Sequence, residues 1–197
     1  MDLTDNQVML AVKAGDTEQF GILFERHHEA LFAFFFRMTG ERTASEDLVQ
    51  EVFLRMLRYR ATFRDDSQFR AWMYQAARNV RFDDVKDRKP IAPLPLTEIR
   101  EQNSPSWPGR ENQIERRAVL LERALLALPE QKREVLVLAR YKGMKHEEIA
   151  ALLGIEPGAV KVRVHRAMKE LRELFLKMSG EKSKCDVKKS LNTLRII

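Results

Sequence analysis

The chain has 197 residues, of which 44% are hydrophobic and 32% charged, a balance that builds a packed core and excludes an intrinsically disordered chain. Its formal net charge of +6 favours a polyanionic partner. The one cysteine, Cys185, excludes an internal disulfide and a Cys-rich zinc site and fits a reducing, cytoplasmic setting. The start, MDLTDNQ, has no signal-peptide pattern, and the longest apolar run, 30–36, is far too short to span a bilayer, so no membrane insertion is expected.

Helix signals run throughout, and no strand-like alternation persists. Thr4 with Gln7 forms a capping-box pattern for a first helix that ends near Gly15. Asp16 is placed to cap the next, which carries Phe20, Ile22, Leu23 and Phe24 and runs on through Phe35 and Met38 to Gly40. Thr43 with Glu46 repeats the capping-box pattern before a helix to about Arg58. A loop, ATFRDDSQ, leads to a helix over about 68–86, with Asp65–Asp66 where an N-cap is needed. Five of the seven prolines then fall between Pro90 and Pro108, which no helix tolerates, so 90–112 reads as an extended linker. It divides an N-terminal helical domain, 1–89, from a C-terminal one, 113–178, with helices near 113–127, 130–141, 146–153 and 157–177. Residues 179–197 carry five cations, two acids and weak periodicity, and read as a mobile tail. The expected fold is all-α: two small helical domains on a Pro-rich linker.

Two N-terminal helices carry more than core. In 45–58, Leu48, Val52 and Met56 form one apolar stripe, with Val49, Phe53 and Leu57 beside it. Leu54 falls on the other face among Asp47, Gln50, Glu51 and Arg58. A lone exposed leucine needs no explanation, yet one so ringed equally suits an anchor for a partner helix, and the pattern leaves both open. In 68–88, Phe69, Trp72, Met73, Ala76 and Val80 point to the core, while Arg78, Arg81, Phe82, Val85 and Arg88 lie on the far side. Cations interleaved with an aromatic ring suit a single strand of nucleic acid, unless Phe82 packs under the linker. The pairs Asp65–Asp66 and Asp83–Asp84 lack the phosphate loop or nucleophile–base pattern that phosphoryl chemistry requires, and the adjacent His27 and His28 point in different directions.

The clearest motif lies at 145–175. A short helix bearing Ile149, Ala150, Leu152 and Leu153 stops at Gly154, and a longer one opens on Pro157, a favoured first helical residue. Helix, tight turn and helix make a helix-turn-helix. Val160, Val164, Ala167, Leu171 and Leu174 share one face of the second helix. The opposite face carries Lys161, Val162, His165, Arg166 and Lys169, and 157–177 holds six cations against two acids. Such a helix suits the DNA major groove.

With these motifs in order, the chain resembles a sigma factor of bacterial RNA polymerase, sigma-70 family, extracytoplasmic-function group. SEDLVQEVFLRML (45–57) resembles the segment that docks on core polymerase. FRAWMYQAARNVRFDDVKDR (69–88) resembles the segment that opens and reads the downstream, minus-ten element. The 125–172 stretch resembles the domain that reads the upstream, minus-thirty-five element. The likeness covers about residues 5–176. The family usually has Ser or Thr where this chain has Lys145, Glu156 and Val162, and the tail has no counterpart.

The resemblance implies a promoter-specificity subunit with no catalytic residue, cofactor or metal of its own. It implies that Asp47, Gln50, Glu51 and Leu54 dock on core polymerase. It implies that the loop 62–68 with Arg78, Asn79, Phe82 and Asp83 holds the single-stranded non-template strand. It implies that Lys161, Val162, His165, Arg166 and Lys169 grip the upstream duplex, and that an anti-sigma factor is a partner. The alternatives are a stand-alone dimeric helix-turn-helix regulator, which leaves 45–57 and 69–88 unexplained, and a metal-dependent nuclease, for which no complete site is present.

Overall fold

The computed structural model describes residues 3–87 and 111–180. Residues 90–110 of the expected linker, residues 181–197 of the expected tail with Cys185, and Arg88 lie outside the described residues; the ends of both segments that are described, at Glu111 and Ser179, are helical. Eight α-helices and no β-strand occur among the described residues: α1 Asp5–Ala14, α2 Phe20–Thr39, α3 Arg42–Arg58, α4 Phe69–Asp87, α5 Glu111–Leu126, α6 Glu130–Leu136, α7 His146–Leu153 and α8 Pro157–Ser179. No helix among them is long and apolar enough to cross a membrane.

The Thr4–Gln7 capping box is present, and Gly15 ends α1 in the left-handed region at φ 116°. Two other expected caps are not formed. Asp16 makes no side-chain cap bond; a 3-10 turn, Thr17–Gln19, leads into α2 instead. Thr43 lies inside the first turn of α3, because the chain is already helical from Arg42, and Glu46 pairs with Arg42 at 2.9 Å. Thr39 and the fully buried Ser45 organise this corner. The Thr39 hydroxyl accepts from the Glu41 N–H at 3.1 Å, and the Ser45 hydroxyl donates to the Glu41 carbonyl at 2.5 Å. These local bonds satisfy the Glu41 N–H and carbonyl just before α3.

The N-terminal domain packs α2 on α3 and α3 on α4, with α1 across α2 and α4. Both α3 stripes are buried apart from the half-buried Leu57, and Phe69, Met73 and Val80 of α4 join them. Tyr74 and Ala77 of α4 are buried as well. Burial pushes the Tyr74 phenol up to about 12.

In the C-terminal domain α8 packs on α5, α6 and α7. Its buried stripe is Val160, Val164, Ala167, Leu171 and Phe175; Leu174 is only partly covered, because at 3.6 residues per turn a stripe shifts by a residue over about four turns. The segment 130–141 is not one regular helix. It is α-helical to Leu136 and then closes a π-turn over Val137–Tyr141, which turns the chain toward α7. Lys145 lacks an acceptor to cap α7, but its backbone N–H donates to the Glu148 carboxylate at 2.7 Å, the other half of a capping box. Gly154 turns the chain at φ 65°.

The two domains share a packed interface, α2 lying on α5 and α6, and α4 on α7. Gly40, at φ 77°, sits against Leu126: a Cβ there would lie 2.8 Å from Leu126 Cδ1. The half-buried Arg133 guanidinium donates to the carbonyls of Leu126 and Leu128 and to that of Met38, so one cation serves the C-terminal ends of both α5 and α2. Arg37 lies 4.2 Å over the Tyr141 ring. The Lys142 ammonium donates to the Ala30 carbonyl at 2.5 Å.

Burial, with Arg37 and Arg70 nearby, lowers Lys142 to about 8 from 10.5. Between those values the unfolded chain binds the extra proton, so stability rises with pH across that window. Thermal unfolding from pH 8 to 10 should therefore show a rising midpoint in the native chain. In Lys142→Met that rise should be absent and the midpoint at pH 7 higher. A falling native curve would remove the assignment.

Candidate nucleic-acid interface

On α8, burial of Val160, Val164 and Ala167 against α5, α6 and α7 turns Lys161, Val162, His165, Arg166 and Lys169 outward, and all five are exposed. Val162 is 47% exposed, an apolar surface on a helix that has its core stripe elsewhere. Lys169 has only a 4.0 Å contact with Glu173, exposed on both sides and of little energetic consequence. The face is a cationic strip on a rigid helix.

The α4 surface differs. Asn79 and Phe82 are exposed, Phe82 at 61%, with the Lys86 ammonium 4.7 Å from its ring centroid. Arg78 is not free. Its Nε meets Glu134 of α6 at 2.6 Å, and its Nη1 donates to the Leu152 carbonyl at 2.9 Å, in the last turn of α7 beside the helix-turn-helix corner. Arg81, placed by periodicity on the open side, is covered in the same way, 2.6 Å from Asp84 and 3.2 Å from Glu130. Periodicity gives a helix face; it does not give the second domain that lies on it.

Asn79 and Asp83 are one turn apart but face different partners. The Asn79 carbonyl oxygen accepts from Gln75 at 3.1 Å. Asp83 binds Arg55 of α3, which also pairs with Glu51 at 2.6 Å. The two carboxylates, first through their hydrogen bonds, hold the Arg55 guanidinium above its ordinary pKa. Arg55 therefore ties together one expected polymerase contact, Glu51, and one expected DNA contact, Asp83. Sequence reasoning missed Arg55; its i, i+4 spacing from Glu51 was the available signal.

On the outer side of α3, Asp47, Gln50 and Leu54 are exposed, Leu54 at 57%. Gln50 lies at the edge of a groove of about 490 Å³ between α2 and α3, lined by Phe24, Phe32 and Val49. The α2 aromatics were also missed, because that helix has more apolar residues than one stripe holds and Phe24 stays 38% exposed.

The loop before α4 holds its acids outward. Asp65 pairs with Lys13 at 3.2 Å and Asp66 with Arg64 at 3.1 Å. Neither caps α4. The first N–H of that helix, on Phe69, is taken by Asn6 of α1 at 2.8 Å. His27 bonds Asp5 at 2.7 Å, and His28 stacks on Phe24. Among the described residues no cluster of His, Cys, Asp or Glu is arranged to hold a metal ion.

Comparison with known proteins gives the family. The family model for sigma-70 region 2 matches residues 23–91, and that for sigma-70 region 4 matches 118–171. The chain is 32% identical over 161 residues to the RNA polymerase sigma factor CarQ of Myxococcus xanthus, covering 82% of this chain and 91% of that one. It is 27% identical over 186 residues to the ECF RNA polymerase sigma factor SigW of Bacillus subtilis, covering 88% and 97%. Among solved structures it resembles CnrH in complex with the cytosolic domain of CnrY, with a TM-score of 0.66, 28% identity and coverage of 86% and 96%. Region 2 before region 4, on helices that present the faces described above, places this chain in the sigma-70 family as an extracytoplasmic-function sigma factor, a promoter-specificity subunit of RNA polymerase.

Proposed function

We propose that this subunit divides its work among three surfaces. The outer face of α3, with Asp47, Gln50, Glu51 and Leu54, docks on core polymerase. The loop 62–68 and Arg78, Asn79, Phe82 and Asp83 receive the non-template strand of the downstream element. Lys161, Val162, His165, Arg166 and Lys169 grip the upstream element. The observation that carries this reading is the outward α8 strip: five residues, three of them permanent cations, exposed on the side opposite a fully packed core stripe. Such a strip matches the spacing at which a helix in the major groove meets phosphates and base edges. Phe82 adds a ring for a base to stack on, a contact worth about 1–3 kcal/mol.

The bond-making chemistry belongs to the polymerase, and the subunit works in the cytoplasm where that enzyme is. The chain divides at the linker, 90–112, into its downstream-reading and upstream-reading domains. CnrH, a structural relative, is held by a cytosolic partner domain, and an anti-sigma protein is the corresponding partner here. A stand-alone dimeric regulator would have no use for the exposed Leu54 or for the Phe82 surface.

The closed domain pair bears on α4. Arg78 cannot contact a phosphate while it holds Glu134 and the Leu152 carbonyl, so α7 parts from α4 when the downstream element is bound.

Arg166→Ala should weaken upstream-element binding by about 1–3 kcal/mol if the side chain meets a base edge; band shifts and transcription with no loss would reject that role. Leu54→Asp with Gln50→Ala should end co-elution with core polymerase while leaving the circular dichroism spectrum intact, and persistent co-elution would move the docking face elsewhere. Glu134→Ala removes the charged one of the two partners that hold Arg78, so the isolated chain should bind single-stranded downstream-element DNA more tightly. Equal affinity would mean that the Arg78–Glu134 contact does not gate this face.

A further inference from the structure

The loop expected to receive the unpaired base is held by a helix that the promoter-reading surfaces do not include. Asn6, on the first turn of α1, is half-buried, and its amide spans the loop exit. Its Nδ2 donates to the Ser67 carbonyl at 2.8 Å, and its Oδ1 accepts from the Phe69 N–H at 2.8 Å. The Phe69 N–H is one of the donors that the start of α4 leaves without an intrahelical partner. A residue just before the helix normally supplies that acceptor. Here it comes from 63 residues away in sequence.

The two bonds do different things. The Phe69 bond caps α4. The Ser67 bond fixes the loop itself. Because one planar amide makes both, the direction in which the chain enters α4 is set by the orientation of α1. That helix is firmly placed: Val8, Met9 and Val12 are fully buried, and Asp5 pairs with Arg26 at 2.9 Å and His27 at 2.7 Å. At the loop entrance Phe63 is 1% exposed and packs edge-on against Trp72. The loop is therefore pinned at Phe63 and again at Ser67. Only Arg64, Asp65 and Asp66 project between the pins, with Lys13 of α1 reaching Asp65.

We propose that Asn6 is a positioning residue for downstream-element selectivity: it touches no DNA and sets the shape of the loop that does. The inference rests on the reading of 62–68 as a DNA-holding loop.

Asn6→Asp separates the two bonds. A carboxylate still accepts from Phe69 N–H, and negative charge suits a helix N-terminus, but it cannot donate to Ser67. The test uses the full chain with core polymerase on a promoter library randomised across the downstream element, with transcripts sequenced. Thermal unfolding and co-elution with polymerase are measured in parallel. Asn6→Asp should unfold near the native midpoint and co-elute normally, while its preference at one downstream position falls about three- to tenfold, the scale of one lost hydrogen bond. Asn6→Ala should show the same loss of preference with a lower midpoint.

A second arm carries Arg64→Ala with Asp66→Ala, at the projecting tip. If the tip variant changes preference and Asn6→Asp does not, Asn6 is a cap only and the proposal is overturned, while the DNA-holding loop stands. If the tip variant leaves preference unchanged, the loop reading fails and the proposal fails with it. A drop in transcription from all library members alike in Asn6→Asp, with unaltered preference, also overturns it.

Discussion

One half-buried guanidinium bridges the two domains of this molecule. Arg133 fills the gap where α2 and α5 end, and donates to carbonyls that those helices cannot satisfy themselves. Burial lowers its pKa without discharging it, so the positive charge remains opposite two negative helix ends. Its Nε has no hydrogen-bond partner, a cost accepted for the geometry of the other two nitrogens. Because that contact sets α6 against α2, it also sets Glu134, one residue on, against Arg78 of α4. The state of the proposed downstream-reading surface thus follows from a contact between the two domains.

The two proposed DNA surfaces consequently differ in readiness. The α8 strip is open, and its cations have weak or no protein partners to lose. The α4 surface keeps Phe82 and Asn79 open, while Arg78, Arg81 and Asp83 are engaged by Glu134, Glu130 and Arg55. Ion pairs that lie partly out of water are retained or broken as units, since freeing one member leaves the other uncompensated. Under the proposed function, Arg78 and Arg81 would exchange the carboxylates of Glu134 and Glu130 for phosphate as the domains part. On the α3 face Leu54 and the groove beside Gln50 are open, while Glu51 is held by Arg55.

Local signals were read well where they were self-contained. The Thr4–Gln7 box, the Gly154 turn, Pro157 at the start of α8 and the paired stripes of α3 depend on neighbours within four residues, and the structure has them. The signals that failed had competitors. Thr43 lost to a corner built by Thr39 and Ser45, and Asp65–Asp66 lost the start of α4 to Asn6. Each side chain was chemically able to cap, but α3 begins before Thr43, and at α4 the distant Asn6 takes the first backbone donor.

The sequence alone determined that the chain is helical, which faces of its helices are apolar and that it carries both sigma-70 regions in order. Periodicity, capping chemistry and motif spacing are properties of neighbouring residues, and neighbours in sequence are neighbours on a helix. Only the tertiary structure decided which charged side chains stay free. Whether Arg78 meets solvent or Glu134, whether Asp83 meets DNA or Arg55, and whether α4 is capped from its own loop or from α1 depend on contacts between residues 28 to 63 apart. Contacts at that range are set by how buried stripes pack, and no local pattern encodes their outcome.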